Sequence, residues 1–321
     1  MNKFQRSWQL FKSSMAVMER EKKLLLFPIL TTVCTILIAV LFLAPVAFQP
    51  TGHAYTSAHH WQTVGERIFQ QPAGTTTTVA QDGDSLRLTG HQRIEGEFRP
   101  LALAYFALIY FTSMFAATFF NVAFYSQILR ALSQEPVSIR GGLLFACTRW
   151  QTILAWTLFA GLVGFLIKAL EERFGVLGRI VMKLVGAAWS IACVFVIPVI
   201  ITRENTFNPL KVLRESALTL TRTWGESLIG YAGVAFGNLL VLLLSLVWLG
   251  AGIGAAVMLH WYWGIAVVVG TWLLAMILWG YLMSVASQIF RCALFLYASN
   301  GTLPEPYTQE MMALAWKTKK R

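Results

Sequence analysis

The chain has 321 residues, of which 56% are hydrophobic and only 13% charged, and its mean hydropathy is +0.60. Soluble domains carry about 25% charged residues, so this composition excludes a water-soluble globular class and fits a polytopic membrane protein. The formal charge of +11 invites a nucleic-acid partner, but the distribution of the cations excludes one, because they sort by side of a membrane.

Five apolar stretches fill most of the chain: 24–48, 101–129, 152–170, 180–201 and 227–298. A hydrocarbon core about 30 Å thick takes roughly 20 helical residues to cross. The last stretch holds 72 residues and must double back, and His260-Trp261-Tyr262-Trp263 suits a turn at the membrane surface. Six spans result. With the N-terminus inside, the cytoplasmic segments 1–23, 130–149, 203–222 and 291–321 hold 18 Lys and Arg, against 8 in the outer segments 67–99 and 168–183. That bias obeys the positive-inside rule. It predicts a cell inner membrane protein with both termini cytoplasmic, and anionic headgroups as partners of the basic face.

Before the first span, Phe4, Trp8, Phe11, Met15 and Met18 repeat at spacings of 4, 3, 4 and 3, one face of a helix. Lys3, Arg6, Lys12 and Arg20 fall mostly off that stripe, the pattern of a helix lying in the interface; the same stripe also fits a cytoplasmic helix packed on the spans. The apolar run from residue 24 exceeds a signal-peptide core and reads as an anchor. Residues 49–99 shift to Thr, Gln, Gly, Asp and His: residues 54–70 are expected to form a short helix ending before Pro72, and Asp82-Gly83-Asp84 between β-prone runs signals a hairpin, together a small outer cap. His53, His59, His60 and His91 gather in this loop without a metal-ligand spacing, so they read as surface residues.

The interfacial device recurs. Ile139, Leu143, Cys147 and Trp150 form a stripe between spans two and three. Leu210, Leu213, Ala217, Leu220 and Trp224 form another between spans four and five, with Pro209 in a first helical turn. The membrane-interface residues are therefore Trp8, Lys12, Arg149, Trp150, Arg222 and Trp224. Ser126-Gln127-Ile128-Leu129-Arg130 is echoed by Ser287-Gln288-Ile289-Phe290-Arg291, and Thr148-Arg149-Trp150 by Thr221-Arg222-Thr223-Trp224. These echoes suggest three units, each a surface helix followed by a hairpin of two spans.

The predicted organisation is an interfacial helix at 1–23, a first hairpin at 24–48 and 101–129 enclosing the insert 49–100, helix-plus-hairpin units at 137–201 and 208–298, and a cytoplasmic tail at 299–321. Tyr307, Met311, Leu314 and the cations of 317–321 suggest a last surface helix in that tail. Proline kinks are expected at Pro28 and Pro198, near the inner ends of spans one and four.

Chemistry is sparse. The span centres lack Asp and Glu, the groups that bind a driving ion in coupled transport. The candidate cavity polars are Asn121, Gln127, Asn238 and Gln288, residue types that also serve as interhelical hydrogen-bonders. Lys168, Glu171, Glu172, Arg173, Arg179 and Lys183 cluster at the turn between spans three and four and read as a solvated surface. No GxSxG, HExxH or P-loop pattern occurs. Cys34, Cys147, Cys193 and Cys292 lack CxxC spacing and read as buried small hydrophobes. No cofactor, no metal and no enzymatic activity are expected.

Phe4-Gln5-Arg6-Ser7-Trp8-Gln9-Leu10 followed by Leu24-Leu25-Leu26-Phe27-Pro28 resembles the N-terminus of a bacterial and archaeal group of multi-span membrane proteins of unknown function. The wider arrangement is similar to the membrane domains attached to some glycerophosphodiester phosphodiesterases. Their catalytic barrel is absent, so no activity carries over; the resemblance implies a prokaryotic inner-membrane protein.

The expected fold is an all-α bundle of six transmembrane helices with amphipathic interfacial helices and a small extracytoplasmic cap. The expected role is a non-enzymatic membrane component that organises lipid or holds a protein partner or a second copy. The alternative is a transporter or channel for an amphipathic or lipid-like solute, which requires a cavity reaching Asn121, Asn238 or Gln288.

Overall fold

A computed structural model describes residues 3–70, 97–98, 100–203, 207–221, 227–301 and 304–307, with side chains described from residue 12 onward except at 69–70, 97–98, 176–177 and 227–240. The helices are α1 (Lys3–Arg20), α2 (Leu26–Ala47), α3 (Ala58–Ile68), α4 (Pro100–Leu132), α5 (Ile139–Thr148) and α6 (Trp150–Arg173), then α7 (Val176–Ala192), α8 (Val196–Thr202), α9 (Pro209–Thr221), α10 (Ser227–Met258) and α11 (Tyr262–Asn300). Among the described residues, six stretches are helical, long and apolar enough to cross a membrane: Lys22–Ala47, Pro100–Leu132, Trp150–Arg173, Gly178–Thr202, Val241–Met258 and Tyr262–Asn300. The protein is an all-α, multi-pass membrane protein.

The chain divides into two compact units, 33–116 and the remainder. The smaller one carries the insert. Its α3 lies within the expected helix, and a two-residue antiparallel ladder pairs β1 (Phe69–Gln70) with β2 (Glu97–Phe98). The predicted Asp82-Gly83 hairpin and His91 fall outside the described residues. His60 is fully buried rather than on the surface: Nε2 donates to the Ala47 carbonyl at 2.9 Å, and Nδ1 faces the Thr51 hydroxyl at 2.6 Å. It thus serves one of the orphan carbonyls that end α2. His53 and His59 remain exposed, their rings 5.8 Å apart.

In the larger unit the core is made by particular stretches, not by whole spans. Residues Val122–Ile128 of α4 are buried without interruption, as are Cys292–Phe295 of α11 with Val285, Ala286 and Ile289. Leu24 and Phe27 join them at 0% exposure, and Phe27 stacks on Phe124 with centroids 5.5 Å apart. The Leu-Leu-Leu-Phe-Pro run is therefore a core-forming segment. By contrast the spanning window of α11 has 0% of its residues buried, with Leu273, Leu274, Ile277 and Leu278 exposed. Those surfaces are apolar enough to face lipid tails.

Helix ends explain the turns. His260 (φ 54°) and Gln134 (φ 60°) hold left-handed positions after α10 and α4. In each case the flanking amides close the two bonds of a Schellman motif: His260 N to Val257 O and Trp261 N to Ala256 O, then Gln134 N to Ala131 O and Glu135 N to Arg130 O. The expected turn at His260–Trp263 is thus present.

Span four is discontinuous. The chain leaves the helix at Cys193–Phe195 and re-enters as α8, upstream of the expected kink at Pro198. Pro198 sits in the first turn of α8, where its missing N–H costs nothing.

Candidate functional site

Three amphipathic helices carry the residues singled out by the sequence, and the buried positions of α5 and α9 differ from their apolar stripes. α1 packs against α10 and α11. Ser13, Ser14, Val17 and Met18 are buried, Met15 is half-buried and Lys12 is exposed. Tyr307 returns to this helix: its hydroxyl lies 2.8 Å from Ser14 Oγ, and burial pushes its ionisation above the usual phenol range. Arg20 donates to the Ala131 carbonyl at the end of α4, and Lys23 donates to the Val137 carbonyl at 3.3 Å. These two cations secure backbone; among the described side chains of the N-terminal segment, Lys12, Glu19 and Lys22 are further exposed charges.

α5 buries Gly142 and Ala146, whereas Cys147 and Trp150 of the predicted stripe are exposed, Trp150 by 50%. A Cβ on Gly142 would lie 2.9 Å from the Ala123 carbonyl and 3.0 Å from Phe27, so glycine permits this close approach. Gln127 fixes the entry to α5. Its Oε1 accepts from Ser138 N at 2.9 Å, and Ser138 Oγ caps the helix by accepting from Gly141 N at 3.3 Å. The Arg149 guanidinium lies 5.8 Å from the Phe145 ring centroid.

α9 begins with Asn208, whose Oδ1 accepts from Leu210 N at 3.0 Å, and Pro209 follows at the first helical position. It contacts α6, α7, α8 and α11. Its buried residues are Val212 and Ser216; of the apolar stripe, Leu210 is exposed and Leu213, Ala217 and Leu220 are half-buried. Ser216 closes the break in span four. Its hydroxyl donates to the Ala192 carbonyl at 2.6 Å and accepts from Phe195 N at 3.1 Å, two groups that a continuous helix would pair internally. The opposite face exposes Leu210, Lys211, Arg214 and Leu218, an outward mixture of apolar and cationic side chains suited to a headgroup layer.

Between α8, α9 and the end of α11 lies a groove of about 350 Å³. Val199, Leu218 and Phe295 supply its apolar wall; Thr202, Thr219, Ser299 and Asn300 supply polar groups. Arg203 Nε and Glu215 Oε2 pair at 3.1 Å on its rim, with side chains 64% and 40% exposed. A second groove of about 380 Å³ is lined by Ala16, Val17, Arg20, Glu305 and Pro306.

The structure therefore assigns the candidate cavity polars unequally. Gln127 is 1% exposed and serves the α4–α5 connection. Gln288 is half-buried with Nε2 at 3.4 Å from Ser284 Oγ of its own helix, so the sequence echo does not share a role. Asn121 is half-buried in α4. The side chains of Trp8 and Asn238, and residues Arg222 and Trp224, lie outside the description. Neither groove is lined by Asn121, Gln127 or Gln288. Sequence reasoning missed Arg203, Glu215 and Ser216. Only spacing on α9 could have flagged Ser216, four residues from Val212 on one face.

Lys168 pairs with Glu171 and Glu172 at 3.7 and 3.8 Å, i,i+3 and i,i+4 contacts at the C-terminal end of α6. All four cysteines are free; Cys292 is buried and Cys34 and Cys193 are half-buried, but Cys147 is exposed, correcting its expected burial. Among the described residues no group of three or more His, Cys, Asp or Glu is placed to hold a metal ion.

A model described as "Family of unknown function (DUF6159)" matches residues 101–304. The N-terminal residues 4–28 lie outside that match. No curated protein and no solved structure matches the chain.

Proposed function

The chain belongs to the family of unknown function DUF6159, and from that premise we propose that it is a non-enzymatic component of the cell inner membrane, one that organises lipid or holds a partner at the cytoplasmic surface. The observation that carries this reading is the outward face of α9, where Leu210 and Leu218 lie beside Lys211 and Arg214 while Ser216 on the opposite face is tied into span four. Such a helix places hydrocarbon contacts and phosphate contacts on one rim. The burial of Gln127 removes one polar residue from a solute path and favours a packed scaffold.

The runner-up, a transporter for an amphipathic solute, draws on the interrupted span four, because broken helices build midplane sites in many carriers. The test uses the full-length protein in nanodiscs. Anionic lipid is expected to raise its thermal midpoint relative to neutral lipid, and Lys12→Glu, Lys211→Glu and Arg214→Glu together are expected to remove that rise. An unchanged midpoint, or solute flux through liposomes containing the protein, would overturn the scaffold reading.

A further inference from the structure

We infer that the groove between α8, α9 and α11 binds the headgroup of a zwitterionic phospholipid that carries a primary ammonium. The inference rests on the interfacial placement of α9 for the source of the ligand, and on the groove itself for its chemistry. The rim holds one cation and one anion side by side, Arg203 and Glu215. An exposed ion pair contributes little by itself. It opens readily for a ligand that satisfies both charges. A phosphate meets the guanidinium through paired N–H donors, and an ammonium a few bonds away meets the carboxylate.

The surroundings favour that polarity. An ammonium has three donors and no acceptor, and the groove offers acceptors: the Glu215 carboxylate, the Ser299 hydroxyl and the Asn300 amide oxygen. The groove also lies at the C-terminal end of α11, where the helix dipole is negative. A trimethylated head has no N–H to give these groups, and a glycerol head has no cation. Leu218 of the groove wall is itself exposed on the outward face of α9, which also shows Leu210, Lys211 and Arg214, so a ligand held in the groove has apolar surface beside it for acyl chains. A soluble amino-phosphate would leave that apolar surface uncovered, so a membrane lipid is the source.

The test is lipid retention by the full-length protein in mild detergent, read by native mass spectrometry after exposure to phosphatidylethanolamine, phosphatidylcholine and phosphatidylglycerol in turn. Wild type is expected to retain phosphatidylethanolamine over the other two. Glu215→Gln is expected to weaken that lipid roughly tenfold, the loss of one charge-assisted hydrogen bond, and to favour phosphatidylglycerol as Arg203 is released. Arg203→Gln is expected to weaken all three alike. Both side chains are exposed, so neither change threatens folding. Retention without preference for the amine, or an unaltered preference in Glu215→Gln, overturns the groove proposal alone. Failure of wild type to retain any lipid overturns it together with the interfacial placement of α9.

Discussion

Ser216 shows how much one hydroxyl can hold in a membrane chain. Where span four breaks, the Phe195 amide and the Ala192 carbonyl lose their helical partners, and each buried polar group left unpaired is costly. Ser216 satisfies both at 3.1 and 2.6 Å while remaining fully buried. Ser216→Ala removes both bonds and adds no bulk, so it is expected to destabilise the protein by about 1–3 kcal/mol. Thermal unfolding in detergent followed by circular dichroism checks this; an unchanged midpoint would mean that water replaces the hydroxyl. Gly142 works in the other direction, through what it lacks: the space of its absent Cβ is taken by the Ala123 carbonyl and Phe27.

At the scale of elements, left-handed residues end two of the long helices without glycine. His260 closes α10 at φ 54°, and a non-glycine side chain in that region costs roughly 1–2 kcal/mol. Since His260 is exposed, little packing is lost with its ring, and His260→Gly is expected to raise stability by about 1 kcal/mol. The check is the unfolding midpoint; a lowered value would show that the imidazole makes a contact worth more than the strain.

The long elements were legible because span length and apolarity are set by the bilayer, and the turn at His260–Trp263 was legible because an apolar run of 72 residues cannot cross once. The faces of the short helices were not. In water an apolar stripe marks the inside, but lipid is as apolar as a core, so Leu210 and Trp150 point outward while small residues face in. Gly142, Ala146 and Ser216 are buried, with Val212 the one larger residue among them, and helical periodicity of large residues says nothing about the small ones. Gln127 was visible as a polar residue in an apolar run, but its partner Ser138 lies eleven residues on, beyond a turn whose path the sequence does not specify.

At the scale of the molecule, helix lengths exceed the membrane. At 1.5 Å per residue, the 39 residues of α11 extend roughly 58 Å, against a hydrocarbon core of about 30 Å. The excess is where burial concentrates: the C-terminal parts of α4 and α11 are enclosed. In the larger unit, they share that enclosure with Leu24 and Phe27 and with α1, α5, α8 and α9. In sequence, the segments 1–23, 130–149, 203–222 and 291–321 hold 18 of the 26 Lys and Arg. Cation-rich segments resist transfer across the membrane, whereas the insert between α2 and α4 has four Lys and Arg in 67–99. By the positive-inside rule we propose that the cation-rich segments face the cytoplasm and that residues 67–99 lie outside. Reporter fusions read this directly. A reporter active only outside is expected to give signal after residue 75 and none after residue 205, and one active only in the cytoplasm is expected to give the reverse. The opposite pattern would invert the protein, place its cationic helices against the outer leaflet, and remove the anionic inner leaflet as the surface that α9 meets.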